Sequence, residues 1–141
     1  MVRHDHRRDV WLILALGWAT AAAAQGMGPL TDAPGDPMRG AALVVDSEKG
    51  NCVICHAIPV EGLPEGVAGD LGPPLAGVGA RLSAAELRQR VANPKALDPD
   101  TIMPAYLATD GLTRVAERFR GRTILTPQEV EDVVAFLGTL R

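Results

Sequence analysis

Residues 51–56 read Asn51-Cys52-Val53-Ile54-Cys55-His56 and hold both cysteines of the 141-residue chain. Two cysteines three positions apart, with a histidine directly after the second, form the Cys-x-x-Cys-His signature of c-type haem attachment. The thiols of Cys52 and Cys55 can each form a thioether to the porphyrin edge, and His56 can then place its imidazole beneath the iron. The motif therefore predicts one covalent haem c, with His56 as an iron ligand.

Two other roles for the cysteine pair remain as alternatives. In an exported protein, two cysteines can form a structural disulfide. In a cytosolic chain with a βαβ pattern, Cys-x-x-Cys indicates thioredoxin-like redox chemistry. The second alternative lacks its fold, because the sequence does not alternate between strand and helix patterns.

The first 24 residues have the features of a secretory signal peptide. Met1 to Asp9 carries three arginines, and Val10 to Ala24 is an uncharged, mostly apolar run that ends in four alanines. This order of basic, apolar and small residues predicts cleavage after Ala24 and export to the periplasm. An uncleaved membrane anchor is the alternative, but the apolar run is shorter than the roughly 20 residues that span a bilayer. We therefore expect no membrane attachment after cleavage.

The remaining composition also favours a cofactor. From residue 25 onwards the chain carries 11 basic and 15 acidic residues, so nucleic acid is not expected as a partner. Its aromatic residues are only three, Tyr106, Phe119 and Phe136. Each buried aromatic ring usually removes about 150–250 Å² from water, so three give few large core anchors. A flat apolar cofactor would supply the missing core.

A second iron ligand can be sought among the thioethers, because His/Met ligation is common in electron-carrying haem proteins. The two other histidines lie in the predicted signal peptide. Met27 lies in a Gly/Pro-rich tail, and Met38 opens a predicted helix only 14 residues before Cys52. Met103 follows His56 by 47 residues and precedes a proline, so its loop can return over the far face of the haem. We therefore predict that His56 and Met103 bind the iron; a core role for Met103 and ligation by Lys49 or Lys95 remain alternatives.

Gly72-Pro73-Pro74-Leu75 is expected to orient His56. A ligating imidazole normally donates its other N–H to a carbonyl or a carboxylate. A proline offers a carbonyl on a rigid turn and has no N–H of its own. We predict that Pro73 contributes to the haem site in this way, the alternative being a plain surface turn.

The mature chain divides into a leader and one domain. Residues 25–35 are rich in Gly, Pro and Thr and predict a mobile leader, and residues 36–141 then form the domain. Asp36 and Pro37 begin a helix that Gly50 is expected to end. Capping boxes begin two more helices, one at Ser83 that ends before Asn93-Pro94 and one at Thr126. Phe136 in the last helix is expected to touch the first.

Long Gly/Pro-rich stretches separate the predicted helices, at residues 57–81 and 94–122. Loops of this length are unusual in a compact domain unless they serve a function. Wrapping a haem is such a function. The predicted fold is therefore a small all-α domain whose loops pack onto the cofactor.

The mature chain resembles the SoxX family, the monohaem subunits of SoxAX cytochrome complexes. The resemblance runs through the haem motif and four further segments, Gly69-Asp70-Leu71-Gly72-Pro73-Pro74-Leu75, Asn93-Pro94, Thr101-Ile102-Met103-Pro104-Ala105-Tyr106 and residues 124–137. It implies a class I-like cytochrome c domain with Cys52 and Cys55 as thioether anchors. It also implies His56 as the proximal ligand and Met103 as the distal ligand.

The same resemblance implies a function and a set of partners. A SoxX chain forms a periplasmic heterodimer with SoxA, whose haem site joins thiosulfate oxidatively to a cysteine of the SoxYZ carrier. The SoxX haem passes the electrons to a downstream c-type cytochrome. The activity of such a complex, L-cysteine S-thiosulfotransferase, would then have its catalytic site on the partner, so no catalytic residue is expected in this chain.

Two other functions remain open at this point. The chain could be a free monohaem cytochrome that shuttles electrons between respiratory complexes. It could also be an enzyme or sensor whose five-coordinate haem binds a small ligand. The last alternative requires that Met103 does not reach the iron.

Overall fold

The computed structural model describes residues 26–62 and 69–141, and within them the fold is helical with no β-strand. Four α-helices follow one another: α1 at Pro37–Val45, α2 at Val78–Arg81, α3 at Ala84–Ala92 and α4 at Pro127–Thr139. Short 3-10 turns occur at Cys52–Ile54, Pro94–Ala96 and Glu117–Phe119. The predicted all-α class is confirmed. The predicted signal peptide at residues 1–24 lies outside the described residues.

The predicted helix starts are confirmed by their caps. The Ser83 and Thr126 hydroxyls accept hydrogen bonds from the backbone N–H groups of Glu86 and Glu129, whose carboxylates accept from the capping residues in return. Asp36 caps α1 in the simpler way, by accepting from the N–H of Met38 at 2.8 Å. Each cap satisfies N–H groups that the first helical turn leaves without a partner.

Helices α1 and α4 pack against each other and form the centre of the fold. Gly40 allows the close approach, because a Cβ at this position would overlap the backbone of Asp132 and the side chain of Phe136. The expected contact of Phe136 with the first helix is thereby confirmed. Val44 on α1 and Val130 and Val133 on α4 are almost completely buried at this crossing.

The first helix is shorter than predicted. It ends at Val45, and the backbone N–H of Asp46 donates to the carbonyl of Ala42. The Asp46 carboxylate then accepts from the N–H of Glu48 at 2.8 Å, and such a local bond competes with helix continuation. Gly50 donates back to the carbonyl of Leu43, so it closes a reversal of the chain instead of the helix itself.

The second helix was not predicted, since it lies in a stretch expected to be loop. It spans only four residues and begins after Gly77, whose φ is +70°. Helix periodicity needs a longer window to be recognised, and Gly77 offers no capping side chain. The helix contacts α4, so this part of the stretch belongs to the packed domain.

The segment predicted as a mobile leader is attached to the domain. The N–H of Met27 donates to the carbonyl of Ala85, and the N–H of Leu30 donates to the Glu131 carboxylate at 2.8 Å. Arg88 donates to the carbonyl of Met27 at 2.8 Å and to both Glu131 carboxylate oxygens. The composition of residues 25–35 offers few apolar side chains to anchor the segment. Its backbone groups instead bind the Arg88–Glu131 ion pair, which is itself buried.

Three acidic side chains of α4 each bind a basic side chain from a different part of the chain. Glu131 binds Arg88 on α3, Asp132 binds Arg39 on α1, and Glu129 binds Lys49 near the cysteine motif. The N···O distances are 2.6, 2.8 and 2.9 Å, respectively. Helix α4 therefore joins the segments that surround the candidate site.

Candidate functional site

The cysteine motif forms a single tight turn. Its 3-10 turn starts after Asn51, whose φ of +46° is unusual for a residue with a side chain. The N–H groups of Cys55 and His56 both donate to the carbonyl of Cys52, at 3.2 and 2.9 Å. Cys52, Cys55 and His56 all line one cavity, so the turn presents the two sulfurs and the imidazole on the same side.

A second segment, residues 69–75, runs beside the motif and holds it through the backbone. Gly69 donates to the carbonyl of Val53, Gly72 to that of Cys55 and Leu75 to that of Ala57, at 2.8–2.9 Å. The three bonds fix the position of the Pro73 carbonyl relative to the motif.

The Pro73 carbonyl oxygen lies 2.7 Å from Nδ1 of His56. A carbonyl can only accept, so Nδ1 carries the proton and Nε2 keeps its lone pair. This is the tautomer that a neutral imidazole needs to bind a metal through Nε2. The structure thus brings together the two residues that the sequence analysis paired.

Gly72 packs directly against the face of the His56 ring. A Cβ at this position would overlap three ring atoms, so any other residue would push the imidazole away. The glycine therefore fixes the ring from one face while Pro73 fixes it through Nδ1.

Met103 lies in a loop that is held at both ends. Lys95 donates from Nζ to the carbonyl of Thr101 at 2.7 Å, and the N–H of Tyr106 donates to the carbonyl of Val91 at 3.3 Å. Met103 itself is partly buried against the core. Its side chain and that of His56 line the same cavity.

This cavity has a volume of about 780 Å³, within the range of cofactor-binding pockets. Its walls include core side chains from every α-helix: Val44, Val78, Leu87, Val91, Val133 and Leu137. Both motif cysteines line it and neither forms a disulfide. An apolar cavity with two thiols, an imidazole and a thioether fits a covalently bound haem.

The environment of Cys52 is unlike that of a redox-active dithiol. Burial raises the pKa of the Cys52 thiol to about 11. Redox-active cysteines usually have a lowered pKa, because the thiolate is the reacting species. The unmodified thiol would stay protonated at neutral pH, which disfavours the dithiol alternative.

Sequence reasoning missed two residues that shape the site, Lys95 and Tyr106. Lys95 was considered only as a possible iron ligand, yet it tethers the Met103 loop. The sequence gives Tyr106 no role in the site, yet its hydroxyl donates to the carbonyl of Gly50, beside the motif, at 2.7 Å. No local pattern signals these contacts, since both depend on how the loop returns to the domain.

The chain is similar in sequence and in fold to known proteins. The family model described as cytochrome c matches residues 37–141. No curated protein matches the chain significantly. Among solved structures, a chain of "Crystal structure of SoxXA from P. pantotrophus" is 42% identical and has a TM-score of 0.67. The match covers 80% of this chain and 87% of that chain.

The fold and the cavity therefore define a protein that binds haem c, and the chain belongs to the cytochrome c family. It carries a covalently bound haem c, which the Cys-x-x-Cys-His motif at Cys52, Cys55 and His56 fits. Within the family, the predicted likeness to SoxX is confirmed by the SoxXA structure.

Proposed function

We propose that the chain is the electron-transfer subunit of a SoxAX-like cytochrome complex in the periplasm. The observation that carries the proposal is its 42% identity, over 80% of its length, to a chain of a SoxXA structure. By analogy with that structure, its partner would be a SoxA-like cytochrome subunit. Among the described residues, no helix is long and apolar enough to cross a membrane.

The residues of the cavity support electron transfer without a substrate site. When bound, haem c supplies one-electron chemistry at its iron. His56, oriented by Pro73 and Gly72, would supply one ligand to the iron, and Met103 would supply the second. Two protein ligands would leave no open position for a sulfur compound. The mature chain has no further histidine or cysteine that could act as a base or nucleophile.

The reaction itself would occur on the partner subunit. There, a cysteine thiol of a SoxYZ-like carrier would form a sulfur–sulfur bond with thiosulfate. Forming that bond oxidises the two sulfur atoms together by two electrons, and the thiol proton leaves to solvent. This chain would accept the electrons one at a time and pass them to a downstream c-type cytochrome.

We further propose the domain arrangement predicted from the sequence. Residues 1–24 would be removed as a signal peptide on export, residues 25–35 would remain as the leader, and residues 36–141 would form the cytochrome domain. The start of the family match at residue 37 supports the domain boundary. Export would bring the chain to the compartment where haem is attached, because c-type haem is joined to bacterial proteins outside the cytoplasm.

The experiment that tests this function is purification of the protein from its native periplasm. The proposal predicts that it co-elutes with a second c-type cytochrome. It also predicts that thiosulfate and the carrier protein reduce its haem only while that partner is present. N-terminal sequencing of the same sample would locate the cleavage site.

A different outcome would favour the alternative of a free carrier. The protein would then elute as a monomer, and a respiratory donor would reduce it at the same rate with or without the second cytochrome. That result would contradict the proposed complex but would leave the haem site unaffected.

A further inference from the structure

Tyr106 connects three parts of the haem site. Its hydroxyl donates to the carbonyl of Gly50, two residues before Cys52, at 2.7 Å. Its own carbonyl accepts from the N–H groups of Ile124 and Leu125, at 2.9 and 3.0 Å. Its N–H donates to Val91 at the end of α3, so the backbone of this residue is fixed on both sides.

The surroundings of the Tyr106 side chain favour a persistent hydrogen bond to the Gly50 carbonyl. It is only 6% exposed and is the one tyrosine of the chain. Burial raises the pKa of the phenol, so the hydroxyl stays protonated and able to donate. A buried hydroxyl that lost its acceptor would carry a large desolvation cost, which keeps the bond closed.

The Tyr106–Gly50 hydrogen bond affects the loop that carries Met103. Met103 lies three residues before Tyr106, and Lys95 holds the carbonyl of Thr101 on its other side. Between these two tethers the backbone has few bonds of its own, the N–H of Met103 reaching only the Thr101 hydroxyl at 3.3 Å. The location of the methionine therefore depends on the two ends of its loop.

We propose that Tyr106 is a positioning residue for the distal iron ligand: its hydrogen bond to Gly50 ties the Met103 loop to the haem-attachment turn. The bond links the segment that holds the porphyrin edge to the segment that supplies the thioether. It thereby sets where Met103 stands relative to the haem. The inference rests on the proposed ligation of the iron by Met103.

Tyr106→Phe tests the proposal in the haem-loaded protein, because it removes the hydroxyl and keeps the ring. On heating, the sulfur-to-iron absorption band of the oxidised protein should vanish well before the helical circular dichroism. The reduced variant should also bind carbon monoxide about three to ten times faster than the wild type, as expected on losing one hydrogen bond. Haem content, measured as the pyridine haemochrome, should be unchanged.

Phe136→Leu is the matched control. Phe136 is 8% exposed and packs at the α1–α4 crossing, and it is not among the residues that line the haem cavity. This variant should be less stable overall, with the absorption band and the helical signal lost together and carbon monoxide binding unchanged. A Tyr106→Phe protein that behaved in the same way would show a merely structural role and would overturn the proposal.

The wild-type protein separates this inference from the ligand assignment on which it rests. A wild type that lacks the sulfur-to-iron band would overturn both. A wild type that has the band, combined with a Tyr106→Phe variant that resembles Phe136→Leu, would overturn only the role of Tyr106.

Discussion

At the scale of single residues, the site depends on how each ligand is held as well as on which ligand is present. His56 is fixed by a hydrogen bond from Nδ1 to Pro73 and by contact with Gly72. Met103 is fixed indirectly, by tethers on either side of it. The proposed proximal ligand therefore has a rigid support, and the proposed distal ligand is positioned by its loop.

Replacing Met103 by alanine tests the distal assignment. We expect Met103→Ala to lose the sulfur-to-iron absorption band and to lower the reduction potential, because a thioether ligand favours the reduced iron. Visible spectroscopy and a redox titration measure the two effects. Met38→Ala is the control, since Met38 is 79% exposed and does not line the cavity. An unchanged spectrum in Met103→Ala would remove Met103 from the iron.

Local chemistry predicted some residues of the site and not others. The cysteine motif predicts His56 as a ligand. The imidazole then needs a hydrogen-bond acceptor, which predicts Pro73. Both predictions follow from short sequence patterns. Tyr106 and Lys95 act across 56 and six residues of sequence, respectively. Their partners are backbone carbonyls, which every residue offers, so no residue type marks the contact in advance.

At the scale of the elements, α4 organises the domain through charge as well as apolar packing. Its valines face the core, and Glu131 and Asp132 beside them are only 5% and 2% exposed. Each carboxylate is satisfied by an arginine and by a backbone N–H, from Leu30 and Asp36, respectively. Buried charges are tolerated only with such complete pairing.

Breaking the buried pair should cost far more than breaking an exposed one. We expect Arg88→Met to lower the free energy of unfolding by about 3–5 kcal/mol, because it leaves Glu131 buried without its partner. Urea denaturation of the haem-loaded protein measures the change. Arg120→Met is the control, since Arg120 and its partner Glu117 are 68% and 84% exposed. Equal losses for the two variants would contradict the role of the buried pair.

The same carboxylates predict how stability depends on pH. Hydrogen bonds from Arg88 lower the pKa of Glu131, and those from Arg39 lower the pKa of Asp132. A carboxylate whose pKa is lower in the folded state stabilises the fold above its ordinary value, here 4.5 and 3.8. That contribution is lost as pH falls through the lowered pKa.

The urea midpoint of the haem-loaded protein should therefore fall as pH drops below about 4.5. Glu131→Gln should make this decline shallower, because the variant no longer binds the proton that Glu131 takes up. Denaturation curves at a series of pH values measure both slopes. Identical slopes for the variant and the wild type would show that Glu131 does not contribute to the acid sensitivity.

Helix starts were predicted well, whereas the connections between helices were not. Ser83 and Thr126 signal their caps within four residues of sequence, so the structure confirms them. The end of α1 at Val45 and the short helix α2 depend on tertiary contacts that no local pattern encodes. The attachment of the leader depends on Arg88 and Glu131, which are 43 residues apart.

At the scale of the whole molecule, the core and the haem cavity are one feature. Side chains from all four helices line the cavity, so a bound haem would occupy the place where another domain of this size would have aromatic side chains. Among the described residues, the buried aromatic rings are only Tyr106 and Phe136. Haem binding is therefore expected to be part of folding.

Removing both attachment sites tests this coupling. Cys52→Ser combined with Cys55→Ser should yield little folded protein, because the apolar walls of the cavity would face water. Far-UV circular dichroism should show most of the helical signal lost. Met38→Ala, produced in the same way, should keep it. A stable, helical and haem-free double variant would show that the polypeptide forms its core unaided.

Covalent haem attachment is tested most sharply by the intact mass of the purified protein. The covalent attachment of haem to Cys52 and Cys55 predicts a coloured protein whose mass exceeds that of its polypeptide by one haem after denaturation. A colourless protein with the mass of the bare polypeptide would contradict the account.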